Sequence, residues 1–455
     1  MGTSQSDALV FFGATGDLAF KKIFPALQAM AKRGRLDVPV IGIGRSAWTV
    51  DQFQARAHES LEQHGEVDPA AWEKLCGLLR YVHVDYADPT TFQALRKELG
   101  GAERPLYYLA IPPSLFTTVI EGLAKSGCVD GARVILEKPF GRNLVSAQEL
   151  NRTLHRYFTE QAIFRIDHYL GKESVQNLMY FRFANPFFET GWNRHSIQRV
   201  EITMAEQFGV AGRGRFYEEV GAIRDVVQSH LLMVIACLLM EQPSSREYES
   251  IREERVKILK MIRPLIPSDV VRGQFRGYRR EDGVAPESQV ETFAALRLYL
   301  DSERWAGVPF YLRTGKCLPV TATEVLVEFK RPSCPVLDEI EPPLPNYFRF
   351  RLSPDVTIAL GTTTKVPGQS MVGKRIELVA QQCSGDEMDP YERLLGDAMK
   401  GDAALFARGD GVEAAWRVVQ PTLDTPLSVY EYEANTWGPR EADRLIEGGW
   451  HNPSQ

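Results

Sequence analysis

Ala8-Leu9-Val10-Phe11-Phe12-Gly13-Ala14-Thr15-Gly16-Asp17-Leu18-Ala19 is the stretch whose reading decides the fold. Five apolar residues in a row suit a strand buried on both faces, as in a parallel sheet. They feed a glycine-rich turn and then a helical pattern carrying Lys21, Lys22, Ile23, Leu27 and Met30. Small residues at 13, 16 and 19 let the backbone approach a pyrophosphate, and the helix start adds N–H donors and a positive dipole. The spacing is G-x-x-G-x-x-A, looser than the strict dinucleotide fingerprint, so a ligand-free glycine turn stays open on this stretch alone. Gly13, Ala14, Thr15, Gly16, Asp17 and Leu18 are the candidate cofactor contacts.

The next strand narrows the reading. Residues 38–44 (VPVIGIG) end in Arg45-Ser46, where a site preferring NAD would usually carry an acid for the ribose hydroxyls. A guanidinium suits the 2′-phosphate of NADP instead. Further strands are predicted at 81–84, leading into Asp85 and Tyr86 as additional cofactor contacts, at 106–111, and at 133–136, leading into Glu137-Lys138-Pro139-Phe140-Gly141. Lys138-Pro139 is a candidate cis or restricted peptide that aims the lysine into a cleft. This βαβ alternation predicts a doubly wound, Rossmann-type parallel sheet over residues 1–170.

After Glu173 strands come in series, at 197–204, 294–300, 325–329 and 347–352, around one helical region at about 218–262. That texture predicts an α+β domain over 171–455 with a large, mostly antiparallel sheet. Residues 331–345 hold five prolines and read as an ordered connection, and the last fifteen residues read as loosely held.

At 455 residues two domains are the expectation, and 44% hydrophobic with 25% charged residues is ordinary for a soluble globular chain. A formal charge of −6 without a Lys/Arg block speaks against nucleic acid as partner. No apolar run approaches a membrane span, and the N-terminus lacks the layout of a signal peptide. The six cysteines are scattered and none of the eight histidines forms an HxxxH or HExxH pair, so free thiols in the cytoplasm and no metal site are expected.

Two stretches carry the chemistry. Arg165-Ile166-Asp167-His168-Tyr169-Leu170-Gly171-Lys172-Glu173 follows a short apolar run, so its polar groups fall at the carboxyl edge of a sheet. If a helix begins there, His168 and Lys172 share one face, and with Tyr169 they can surround a phosphate. In Arg224-Asp225-Val226-Val227-Gln228-Ser229-His230, five residues of α-helix turn by about 140°, so Asp225 and His230 are not expected on one face. Asp225 reads as lying at or before a helix start, with His230 inside the helix.

RIDHYLGKE and RDVVQSHLL both resemble signatures of the glucose-6-phosphate dehydrogenases. The resemblance implies oxidation of a sugar phosphate at its hemiacetal carbon to a lactone, with NADP as hydride acceptor. It implies His230 as general base, a role suited to a group titrating near neutrality, with Asp167 orienting it. It further implies that His168, Tyr169 and Lys172 hold the phosphate and that Asp225, Glu206 and Lys316 hold the sugar, with Lys22 and Lys138 touching both ligands. The family forms dimers and tetramers, so a homo-oligomer is expected. Thr436-Trp437-Gly438-Pro439 also matches the family, with no chemistry assigned. One departure stands out: the family usually carries a basic residue five positions after the lysine of RTGK, and here that position is Thr321. Two other readings follow: a relative acting on another sugar phosphate or using NAD, and a non-catalytic NADP sensor.

Overall fold

The computed structural model describes residues 5–454 except 87, 332–343, 369–371 and 382–387. The chain divides into two compact units, Met1–Glu173 with Pro243–Glu254 and Asp386–Glu413, and Ser174–Gln242 with Arg255–Gly385 and Ala414–Gln455. The division expected at residue 170 therefore misses two later segments that join the first unit. Most of the proline-rich connection, together with Cys334 and Cys383, lies outside the described residues; Cys76, Cys128, Cys237 and Cys317 are free thiols.

In the first unit six parallel strands run β1 (Ala8–Phe12), β2 (Val40–Gly44), β3 (Leu79–His83), β4 (Pro105–Leu109), β5 (Arg133–Leu136) and β6 (Ile163–Arg165). Their order is β3-β2-β1-β4-β5-β6, the two-winged arrangement whose order reverses beside β1. β1, β2 and β4 are buried at every residue because both faces of the sheet are covered. Leu9 and Phe11 enter one core with the helices Phe24–Lys32 and Val50–His64, and by strand alternation Val10 and Phe12 face the other side. Helix Pro390–Lys400 joins that same core through Leu394, Leu395, Ala398 and Met399. Caps set several helix starts: Thr49 and Gln52 close a capping box, and Asp68, Asn143 and Asp389 each accept a backbone N–H. Glu160 ties the segments together, accepting from Arg165 at 2.9 Å, Arg252 at 2.9 Å and the Gly409 N–H at 3.0 Å.

The second unit carries a nine-stranded sheet built from β7 (Ile197–Ala205), β8 (Val270–Phe275), β9 (Phe293–Leu298), β10 (Phe310–Gly315), β11 (Ala322–Phe329), β12 (Tyr347–Ser353), β13 (Thr357–Lys365), β14 (Gly373–Gln381) and β15 (Val429–Tyr432). The order is β14-β13-β12-β11-β7-β10-β9-β8-β15, antiparallel except for the β7/β10 and β8/β15 pairs. The expected helical region is a segment at Gly214–Leu239 and a separate helix at Tyr248–Met261. Contrary to the reading that no run approaches a membrane span, Gly214–Leu239 is long and apolar enough for one, but 89% of its most apolar window is buried inside the protein, as in a core helix.

The chain end is not loosely held. Arg313, buried on β10, donates to the His451 carbonyl at 2.9 Å and to Asn452 Oδ1 at 2.8 Å, and stacks on Trp437 and Trp450. His451 Nε2 meets Glu324 Oε1 at 2.7 Å. The Trp437 match to the family is thus partly structural: its ring covers a buried guanidinium.

Candidate functional site

In the first unit the expected cofactor residues collect at the carboxyl ends of β1, β2 and β3. Gly13 has φ +82°, and a Cβ there would stand 2.1 Å from the Ala110 carbonyl oxygen, so only glycine lets the turn pass this close to β4. The Gly13 and Ala14 N–H groups both donate to the Ile43 carbonyl at 2.9 Å, which pins the turn beside β2. The helical segment that follows opens as a short π-helix, Ala19–Ile23, presenting Lys22 to solvent. Asp17, also exposed, lies 3.5 Å from Lys21.

Arg45 follows β2 and is exposed. Its backbone is held: His83 Nε2 donates to the Arg45 carbonyl at 3.1 Å, and Tyr81 Oη donates to the Ser46 carbonyl at 2.6 Å. Burial pushes the Tyr86 phenol up, while the Gly13 N–H and the Arg45 charge pull it down, so Tyr86 lies between turn and guanidinium. Asp85 is exposed and its backbone is tied to Thr91. A tight glycine turn beside an outward arginine fits a dinucleotide carrying a 2′-phosphate.

Lys138–Pro139 is cis. Residues 168–171 form turns, with Leu170 N–H donating to Asp167 O and Lys172 N–H to Tyr169 O, and the helix starts only at Glu173. The expected shared helix face for His168 and Lys172 is therefore absent. Tyr169 links them instead: the Lys172 ammonium lies 3.9 Å from its ring centre, and the His168 ring 5.3 Å away. Burial pulls Lys172 below its usual range; Asp167 opposes that and Lys22 adds to it, so an anion here relieves a strained cation. Asp167 is buried, and its Oδ1 accepts the Tyr169 N–H at 3.0 Å. Arg165, at the start of the same stretch, is fully buried and paired with Glu160.

In the second unit the sheet register creates the geometry. β7 and β10 are parallel with Ala205 opposite Gly315, so Glu206 and Lys316, each the next residue, emerge side by side and form an ion pair. Lys316 is buried, with its ammonium 4.8 Å from the Phe208 ring and 5.5 Å from the Tyr217 ring. The Thr321 hydroxyl accepts the Gln207 N–H at 3.0 Å, beside Glu206.

Asp225 and His230 depart from expectation in an informative way. Gly221, at φ +62°, interrupts the Gly214–Ala222 helix, and the chain restarts as a π-helix over Ile223–Leu231. Asp225 lies in its first turn, as expected. In a π-helix the hydrogen bonds run i→i+5, which brings residues five apart to nearly the same side. The 140° separation assumed for an α-helix does not apply. His230 is buried and Asp225 half-buried.

Tyr217, which the sequence did not single out, lies beside the candidate residues Glu206, Lys316 and Asp225. Burial pushes its phenol well above the usual range, and the charges of Asp225, Glu206 and Glu291 push the same way, so these carboxylates gather around it. No signature marks it, because it precedes the motif by a helical turn and a break. Among the described residues no group of three or more His, Cys, Asp or Glu is placed to hold a metal ion.

The chain matches the family model "Glucose-6-phosphate dehydrogenase, NAD binding domain" over residues 10–177 and the model "Glucose-6-phosphate dehydrogenase, C-terminal domain" over 179–452. It is 42% identical over 455 residues to glucose-6-phosphate 1-dehydrogenase 1 of Mycobacterium tuberculosis, covering 99% of this chain and 97% of the relative. Among solved structures, glucose-6-phosphate 1-dehydrogenase from Mycobacterium avium superposes with a TM-score of 0.93 at 42% identity, covering 99% of each chain. A glucose-6-phosphate dehydrogenase in complex with its substrate glucose-6-phosphate superposes with a TM-score of 0.91 at 32% identity, covering 99% of this chain and 100% of that one.

Proposed function

The chain belongs to the glucose-6-phosphate dehydrogenase family, and from that premise we propose that it oxidises D-glucose 6-phosphate at C1 to 6-phosphoglucono-lactone with NADP, the first step of the oxidative pentose phosphate pathway. The observation that carries the reading is the end-to-end likeness to a relative solved with glucose-6-phosphate as its substrate. NADP, when bound, supplies the hydride acceptor.

The chain's residues supply the rest. His230 takes the proton of the C1 hydroxyl as the C–H electron pair departs and the C1–O bond becomes a carbonyl. Asp167 is the carboxylate we assign to orient that imidazole and stabilise its charged form. Lys172, His168 and Tyr169 hold the 6-phosphate, a remote charge whose binding energy orients C1. Glu206, Lys316 and Asp225 take the sugar hydroxyls. Lys22 and Lys138 reach both ligands. Gly13, Ala14, Thr15, Gly16, Asp17 and Leu18 cradle the pyrophosphate, Arg45 takes the 2′-phosphate, and Asp85 and Tyr86 line the same edge. We assign cofactor binding to residues 1–170, which also bring His168, Tyr169, Lys22 and Lys138 to the substrate, and the remaining substrate contacts and oligomerisation to 171–455, in a cytoplasmic homodimer or homotetramer.

The test is a panel of hexoses and hexose phosphates assayed with NADP and with NAD. Glucose 6-phosphate with NADP is expected to give the highest kcat/KM. Preference for another sugar phosphate supports the reading that Thr321 motivates, and tight NADPH binding without turnover of any sugar points to a sensor.

A further inference from the structure

Glu137 directly precedes Lys138, and none of the roles above uses it. Its carboxylate stands between two phenols: Tyr108 Oη donates to Glu137 Oε1 at 2.5 Å, and the Tyr391 hydroxyl is hydrogen-bonded to the same group. The Lys138 backbone N–H donates to it as well. Tyr108 lies on β4 and Glu137 follows β5, strands paired through Tyr108 and Ile135. Tyr391 comes from far along the chain, in the first turn of helix Pro390–Lys400, where Asp389 accepts its N–H at 2.8 Å. Three distant stretches of one unit thus converge on a single carboxyl group.

Tyr391 also faces the phosphate turn. Its ring stacks on the His168 imidazole, with centroids 6.5 Å apart and planes at 23°, and it feels the charge of Asp167. One carboxylate therefore reaches Lys138 through its backbone on one side and His168 through a stacked ring on the other. Keeping a carboxyl group here is unfavourable: burial pushes Glu137 up to about 7, against the pull of Tyr108, Lys138 and Tyr391. A shape-matched neutral residue would avoid that penalty, so the three converging hydrogen bonds make this carboxyl group a candidate for a task beyond packing.

We propose that Glu137 is a positioning residue which, by holding Tyr391 and the Lys138 backbone on one carboxyl group, fixes where Lys138 and His168 stand relative to each other and so sets the grip on the sugar phosphate. The proposal rests on Lys138 and His168 being substrate contacts. Glu137 and Tyr391 need touch neither sugar nor cofactor for it.

The experiment compares Tyr391→Phe, Glu137→Gln and Lys172→Ala by steady-state kinetics with glucose 6-phosphate and NADP. Tyr391→Phe keeps the stacked ring and removes only the hydroxyl, so it separates positioning from packing. We expect KM for the sugar phosphate to rise about fivefold in Tyr391→Phe and about tenfold in Glu137→Gln, with kcat within about threefold of the unaltered enzyme. A lower kcat with unchanged KM means fewer folded molecules and overturns the proposal. If Lys172→Ala raises KM and neither other variant does, the positioning role fails alone. If all three leave KM unmoved, the substrate reading fails and takes this proposal with it.

Discussion

The two units present their polar groups in opposite ways. The first offers cations that are incompletely balanced: Lys22 is exposed, and Lys172, over the Tyr169 ring, is held below its usual range by burial and by Lys22 against the pull of Asp167. The second offers a pair already neutralised, Lys316 against Glu206, with the lysine buried beside two aromatic rings. Adding an anion to the first offsets the burial of Lys172 and its repulsion from Lys22, whereas adding one to the second would compete with Glu206. The cations of the first unit suit an anionic group, and the balanced pair of the second suits neutral hydroxyls. The predictions below break or sharpen that contrast.

The largest effect is expected from His230→Asn, which keeps size and hydrogen-bonding capacity but cannot take a proton. Loss of general base catalysis lowers kcat by roughly 10²–10⁴-fold with little change in KM. Turnover within about tenfold of the unaltered enzyme would place the base elsewhere.

Lys172→Ala addresses the charged half directly. KM for glucose 6-phosphate is expected to rise about 10- to 100-fold while free glucose is almost unaffected, because only the phosphorylated sugar uses the charge. Equal losses for both sugars would show that Lys172 supports the turn rather than the ligand. Arg45→Ala is the parallel case at the cofactor edge. It should weaken NADP about tenfold and NAD little, since only NADP loses a charge-assisted hydrogen bond. An unchanged NADP/NAD ratio of kcat/KM sinks that assignment.

How far the sequence discloses the site depends on the range of the contacts involved. The parallel sheet was readable because each strand, turn and helix is contiguous, and the Gly13 turn and Arg45 lie on neighbouring strands. The pairing of Glu206 with Lys316 depends on β7 lying beside β10, a register formed by residues more than a hundred positions apart and invisible to local pattern. The π-helix at Ile223–Leu231 was missed because residue spacing was converted to angle on α-helical geometry. Helix Pro390–Lys400 joins the first core from the far end of the chain, so Tyr391 could not be placed beside His168. Charge in a motif stretch does not by itself mark a site: Arg165 and Arg313 are both buried, the first paired with the Glu160 and Asn151 side chains and the second holding the His451 carbonyl.

Stability against pH gives a subtler contrast. Burial raises Glu137 to about 7, so the folded chain keeps a proton that the unfolded chain releases near the ordinary carboxylate range. Its contribution is present below about pH 4.5 and is lost as pH rises to about 7, at no more than about 1.4 kcal/mol per pH unit. Glu324 runs the other way. Burial raises it, but His451, Arg349 and Arg351 outweigh burial and leave it lowered, so its contribution is lost as pH falls through the acid range. Urea midpoints measured from pH 4 to 8 should fall less steeply toward neutrality in Glu137→Gln and less steeply toward acid in Glu324→Gln. Parallel curves for both variants and the unaltered chain would contradict the assigned directions.

The smallest effect concerns Thr321, where this chain departs from its family. Its hydroxyl accepts the Gln207 N–H at 3.0 Å, so it holds the strand end beside Glu206 by a neutral hydrogen bond. Gln207 is exposed, and water can replace that acceptor at little penalty. Thr321→Val should therefore leave KM within about twofold, which isolates the backbone contact. Thr321→Lys adds a charge-assisted donor, roughly twice as strong as a neutral one, next to a pair that is already balanced. If glucose 6-phosphate is the substrate, the new donor is expected to lower its KM severalfold. If the chain is built for a different sugar phosphate, the added charge meets no acceptor and raises KM for the true substrate. The two outcomes have opposite signs, so this one variant, assayed on several sugar phosphates, decides whether the second unit's balanced pair was tuned for glucose or for another sugar. No change on any substrate would mean that position 321 faces the backbone alone.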